Sequence, residues 1–111
     1  MVRGPRANPS QAVTYLVRIR PEAERDVEAA CAWYEQQQAG LGVRLITELD
    51  ATYERLQQSP LTYAQIYRGM RRALLRHFPV GVFYLVERSE VRVLAVVHLA
   101  RDPLVWQSRD V

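Results

Sequence analysis

The sequence predicts an α+β domain of order β-α-α-β-β-β, with a helical hairpin packed on one face of a four-stranded, mainly antiparallel sheet. Three observations predict it. Two apolar runs rich in Val, Leu, Phe and Tyr, residues 80–86 and 91–97, flank the short polar break Glu87-Arg88-Ser89-Glu90, which has hairpin length. Two segments with helical apolar spacing precede them, separated by Ala39-Gly40-Leu41-Gly42. A short alternating stretch opens the ordered part of the chain.

That stretch is residues 14–20. Tyr15, Val17 and Ile19 point one way and Thr14, Leu16, Arg18 and Arg20 the other, the period of a half-buried strand. Pro21 ends it and suits the first turn of a helix. Glu22, Glu24, Asp26 and Glu28 follow, acids at the positive end of the helix dipole. Ala23, Val27, Ala30, Cys31 and Tyr34 then fall on one face of a helix over residues 21–38. A second helix starts near Val43 with a stripe of Leu45, Ile46, Leu49, Tyr53 and Leu56, and Ser59-Pro60 stops it. So short a break makes the pair an antiparallel hairpin. Residues 61–70 read as a loop carrying Tyr63, Ile66 and Tyr67. A strand over residues 72–77 completes the meander with the two apolar runs. The first strand joins the same sheet, because its backbone groups have no other partner. After His98, Asp102-Pro103 starts a single helical turn with Trp106 packing back.

With 111 residues, 49% hydrophobic and 24% charged, the composition is that of one globular domain with a modest core. Residues 1–12, with two Pro, one Gly, Asn and Ser, read as a disordered lead-in, and residues 13–111 as the domain. Charge is uneven. Residues 1–60 hold 7 Arg against 8 acids, and residues 61–111 hold 8 Arg against 4 acids, so the basic character sits in the sheet half. Every cation is Arg, a planar donor suited to carboxylate and phosphate. The single cysteine, Cys31, excludes an intramolecular disulfide and reads as a packed thiol in a reducing compartment. No run is long and apolar enough to span a membrane, and the N-terminus lacks the apolar core of a secretory signal. No phosphate loop, ligand-spaced Cys/His cluster or nucleophile elbow is present, so no cofactor and no metal are expected.

The chemistry on offer is basic. Arg68, Arg71, Arg72 and Arg76 fall together with His77 beside them and no acid between residues 68 and 77. On a strand, Arg72 and Arg76 share a face. They read either as guards of a sheet edge or as a site for phosphate or acidic side chains. His98 closes the last strand, with Arg101 three residues on. Either His98 bonds neighbouring backbone and Arg101 pairs with Asp102, or His98 serves as an acid–base group with Arg101 or Arg72 stabilising charge. Trp33 and Tyr34, inside the first helix, read as packing rather than base-stacking.

Three segments carry a resemblance: PEAERDVEAACAWYEQQQAGLG, RRALLRHFPVGVFYLVE and VRVLAVVHLARDPLVW. Together they resemble the RelE/ParE superfamily of toxins from type II toxin–antitoxin systems over residues ~15–106. The resemblance implies a small cytoplasmic bacterial toxin that inhibits growth and is held inactive by a cognate antitoxin, whose acidic segment would suit the basic sheet half. It also implies one of two targets. ParE-like members poison DNA gyrase, and RelE-like members cut mRNA on the ribosome. The RDP after the histidine and the WYE…GLG hairpin are closer to ParE. His98 is followed by Leu99, no tyrosine follows Tyr84, and Lys is absent, all departures from the ribonuclease pattern. The expectation is therefore a ParE-like gyrase inhibitor, not an enzyme, that uses Arg68, Arg71, Arg72, Arg76 and Arg101 to contact its partner or target. The alternatives are an endoribonuclease using Arg72, Arg76, His98 and Arg101, and a non-toxic member that only binds its antitoxin.

Overall fold

The computed structural model describes residues 14–109. The lead-in expected at residues 1–12 lies outside them. Strand β1 (Leu16–Ile19) leads into helix α1 (Pro21–Gln37) and helix α2 (Leu41–Gln58). A 3-10 turn (Pro60–Thr62) precedes β2 (Gln65–Tyr67), β3 (Met70–Leu74), β4 (Val80–Glu87) and β5 (Glu90–His98), and a four-residue α3 (Leu104–Gln107) follows. One sheet of order β1-β5-β4-β3-β2 results. β5, β4, β3 and β2 form an antiparallel meander, and β1 lies parallel to β5.

The α+β class and the helical hairpin are as the sequence predicts, with two differences. The sheet has five strands rather than four, because the segment read as a loop contains β2, three residues paired to β3. Its run is too short to show a period. The strand expected over residues 72–77 is β3, which starts two residues earlier and stops at Leu74.

The hairpin explains its own motif. Glu35 on α1 accepts the backbone N–H groups of Gly40 and Gly42, both at 2.9 Å. These are donors at the start of α2 that have no carbonyl within the helix. Those two bonds hold the Glu35 carboxyl below its ordinary range. Gly40 has φ 94°, which favours glycine. Gly42 is needed for space: a Cβ there would stand 3.1 Å from Glu35 Oε1 and 3.2 Å from the Cys31 carbonyl oxygen. Cys31 packs at this contact, with its Sγ 3.8 Å from the Gly42 carbonyl oxygen, and burial raises its thiol pKa.

The hairpin covers one sheet face. Ala23, Leu45, Leu49 and Leu56 pack there against Ala73, Val82, Tyr84, Val91 and Val93, all buried. Full burial of an aliphatic side chain contributes about 1.5–3 kcal/mol. Ile46, expected in the α2 stripe, is instead 39% exposed, and Thr52 takes a buried place by bonding back to the Glu48 carbonyl. Tyr84 donates from its hydroxyl to the Pro60 carbonyl at 2.6 Å.

The second face is closed by the C-terminal turn. Trp106 stacks on Phe83, centroids 4.5 Å apart at 15°, above Met70, Leu94, Ala95 and Val97. A bulge allows both faces to stay apolar. Tyr84 pairs with Val93 and Phe83 with Ala95, so Leu94 is an extra residue. That insertion resets the alternation of β5 and returns Val96 to the hairpin side.

Two substitutions test this packing by urea unfolding. Gly42→Ala is expected to cost about 1–3 kcal/mol through overpacking of the hairpin contact. Trp106→Ala is expected to cost about 3 kcal/mol, lowering the midpoint without changing the secondary structure seen by circular dichroism.

Candidate functional site: a basic sheet end and an apolar groove

The four clustered arginines separate in space. Arg71 turns to the hairpin side, where its Nη1 donates to the Leu61 and Tyr63 carbonyls at 3.3 and 2.5 Å. It pins the connection leading into β2. Arg72 projects from the opposite face, with its Cγ and Cδ 3.3 Å from where a Gly81 Cβ would stand. Arg68 sits at the β2–β3 turn with φ 49°, its guanidinium 5.3 Å from the Tyr67 ring centre.

Arg76 does not share a strand face with Arg72, because β3 ends before it. The cause is Glu48 on α2. Its Oε1 accepts the backbone N–H groups of Arg76 and His77, each at 3.0 Å, and its Oε2 lies 2.5 Å from His77 Nδ1. Burial alone would raise the Glu48 carboxyl. The His77 hydrogen bonds, the His77 charge and the Arg76 N–H outweigh burial and hold it below its ordinary 4.5. Glu48 thus folds residues 75–79 over the hairpin, where Phe78 meets Tyr34 edge to face at 4.9 Å.

His98 lies across from Val80 at the same end of the sheet. Its Nδ1 accepts the Ala100 N–H at 3.0 Å, and its carbonyl accepts the Arg101 N–H at 3.0 Å. In the neutral ring the proton therefore sits on Nε2. Asp102 does not pair with Arg101. Its Oδ1 instead accepts the Leu104 N–H at the start of α3. Val80 belongs to the hairpin-side core, so His98 projects to that side and Arg72 to the other.

Beside His98 a groove of about 580 Å³ opens between α1 and the end of β5. Ala29, Ala30, Trp33 and Tyr34 come from α1, and Val96, Val97 and His98 from β5. Trp33, expected to pack, is 55% exposed here and meets Tyr34 edge to face at 5.0 Å. Arg25, Arg101 and Arg109 ring the groove with Glu22 and Asp26. Asp26 is consumed internally: it accepts the Val96 N–H at 3.0 Å and holds Arg109 through both oxygens, at 2.5 and 3.2 Å. The Glu22 carboxyl is held below its ordinary range by its own backbone N–H and by Arg20, Arg25 and Arg109, which together outweigh its desolvation. Among the described residues, neither Arg25 nor Arg101 has a carboxylate in ion-pair range, and no group of three or more His, Cys, Asp or Glu is placed to hold a metal.

Sequence spacing pointed to Arg101 and His98 but not to the rest of the groove. Asp26 reads as an acid at the positive end of the first helix, Arg25 and Arg109 belong to no motif, and nothing local marks the contact between residues 26 and 109.

The frame that carries these residues is a helical hairpin over one face of a sheet in which β1 lies parallel to β5. Residues 17–103 match the family described as ParE toxin of type II toxin–antitoxin system, parDE, and the chain belongs to that family. Two solved structures share the fold. The chromosomal ParDE toxin–antitoxin system from P. aeruginosa aligns with TM-score 0.68 at 17% identity, covering 77% of this chain and 96% of that one. The RelBE2 toxin–antitoxin complex from Mycobacterium tuberculosis aligns with TM-score 0.53 at 20% identity, covering 78% and 99%. No curated protein matches the chain. No helix among the described residues is long and apolar enough to cross a membrane.

The Glu48 latch gives a pH prediction. A carboxyl held low in the folded state stabilises it above pH 4.5 and loses that contribution as pH falls through and below this value. Glu48→Gln is therefore expected to flatten the acid limb of the stability curve. Urea midpoints of the two proteins should differ most above pH 4.5 and converge below it.

Proposed function

We propose that this toxin acts by gripping a protein, DNA gyrase, and that a cognate antitoxin neutralises it in the cytoplasm. The observation that carries this reading is the dispersal of the cations. Cleaving a phosphodiester requires an acid–base group and cations converging on one phosphate. Here Arg72 and His98 project from opposite faces of the sheet, Arg71 is spent on the Leu61 and Tyr63 carbonyls, and Arg76 sits on a separate connection. Such an arrangement suits a broad, charge-complementary protein contact better than a reaction centre. Arg68, Arg72, Arg76 and Arg101 are the residues proposed to face partner or target, and Arg71 supports them by holding the connection before β2. The antitoxin assignment draws on family membership and on the two structural neighbours, each a toxin with its antitoxin.

Expression of the chain alone is expected to arrest bacterial growth, and co-expression with the product of the adjacent reading frame to relieve the arrest. Purified protein should block gyrase supercoiling and leave mRNA intact in a translating extract. Cleavage of mRNA that disappears with His98→Ala or Arg76→Ala would replace the gyrase reading with the endoribonuclease one. Absence of any arrest would leave a non-toxic antitoxin binder.

A further inference from the structure

The sheet face away from the hairpin is only partly covered. Val105 and Trp106 close it over Met70, Phe83 and Leu94. Toward the His98 end the cover stops. Leu74 on β3 and Leu99 just past β5 are 46% and 43% exposed, and Leu104 at the start of α3 is 66% exposed. Strand alternation puts Leu74 and Leu99 on this face, because Met70 and Val97, four and two residues before them, are buried there.

Gly81 lies between them. Its register partners are Leu74 on one side and Val97 on the other, and it has no side chain to fill the space. Arg72 Cγ and Cδ and Phe83 Cε1 fill it instead, 3.3 and 3.1 Å from where a Cβ would stand. The Arg72 stem thus lies over Gly81 and joins Leu74 to Val97 in one apolar strip. Its guanidinium has no carboxylate in ion-pair range among the described residues. At the other end of the same face the charges are closed, Arg18 on Glu90 and Arg92 on Glu87. Asp102, the acid closest in sequence to Leu104, uses its Oδ1 on the Leu104 N–H.

We propose that this end of the sheet face is the surface that grips the target protein, with Leu74, Leu99 and Leu104 as its apolar centre and Arg72 as its charged anchor. The partner surface it fits is an apolar ridge flanked by a carboxylate. Water leaves the leucines on contact, and the carboxylate meets the Arg72 guanidinium fork to fork. Two other occupants fit less well. The segment before Thr14 carries Arg3 and Arg6 and no acid, and a two-fold pairing of copies through this face would set Arg72 against Arg72. The proposal rests on the reading of a toxin that grips gyrase, and it names the part of the chain that does so.

Purified DNA gyrase is the probe, with supercoiling inhibition and direct binding of the full chain as the readouts. Leu99→Glu and Leu104→Glu, changes on exposed side chains, are each expected to raise the half-inhibiting concentration at least about tenfold. Their urea midpoints and circular dichroism should match the wild type. Arg72→Gln is expected to weaken binding and to reduce its salt dependence. Val43→Glu, on α2 and 71% exposed, places the same charge away from the surface and should inhibit like the wild type. Inhibition by Leu99→Glu and Leu104→Glu equal to the wild type, or an equal loss with Val43→Glu, overturns this surface and leaves the gyrase reading standing. Sedimentation showing a wild-type dimer that Leu99→Glu dissociates does the same. A wild-type chain that binds no gyrase overturns both.

Discussion

The fold turns on one long-range pairing, the parallel register of β1 with β5. Val17 meets Val91 and Ile19 meets Val93, which commits the first strand to the last. A parallel pairing cannot be closed by a tight turn. The hairpin of α1 and α2 and the rest of the sheet are the connection, and α1 is laid along β5 as a result. The register also sets two arginines side by side, Arg18 and Arg92. Each is offset by its own carboxylate, Arg18 on Glu90 and Arg92 on Glu87, both at 2.7 Å. Because β1 is only four residues long, the pairing stops at Val93, and among the described residues α1 rather than a strand lies along the rest of β5. The groove is thus a by-product of how the sheet is closed.

What was legible in the sequence follows from the range of the forces involved. Elements with their own period or punctuation were readable: the two long strands, the helices and the Trp106 turn all lie where apolar spacing, Pro and Gly put them. The glycines of the GLG break were readable as a stop signal. Their partner, Glu35, becomes visible only when the hairpin closes. β2 was missed because three residues carry no period, and only pairing with β3 makes Gln65–Tyr67 a strand.

The site was less legible than the fold. Proximity along the chain suggested a single arginine cluster, but a pleated strand sends neighbours to opposite faces, and Arg71 and Arg72 part on that account. Arg76 departs for a different reason. Glu48, 28 residues upstream, takes its N–H and ends the strand early. Conversely, Asp26 and Arg109 are 83 residues apart and form the bidentate pair that seals one side of the groove. Charge that is local in sequence became dispersed, and charge that is remote in sequence became concentrated.

The register of β1 has a consequence in time. Leu16 must wait for Glu90, so synthesis at about 5–20 residues per second leaves the first strand without its partner for roughly 4–15 s. During that interval α1 and α2 have no complete surface on which to bury their apolar faces. The domain therefore assembles late, after its last strand has emerged. A chain that ends before residue 90 lacks every residue with which β1 pairs.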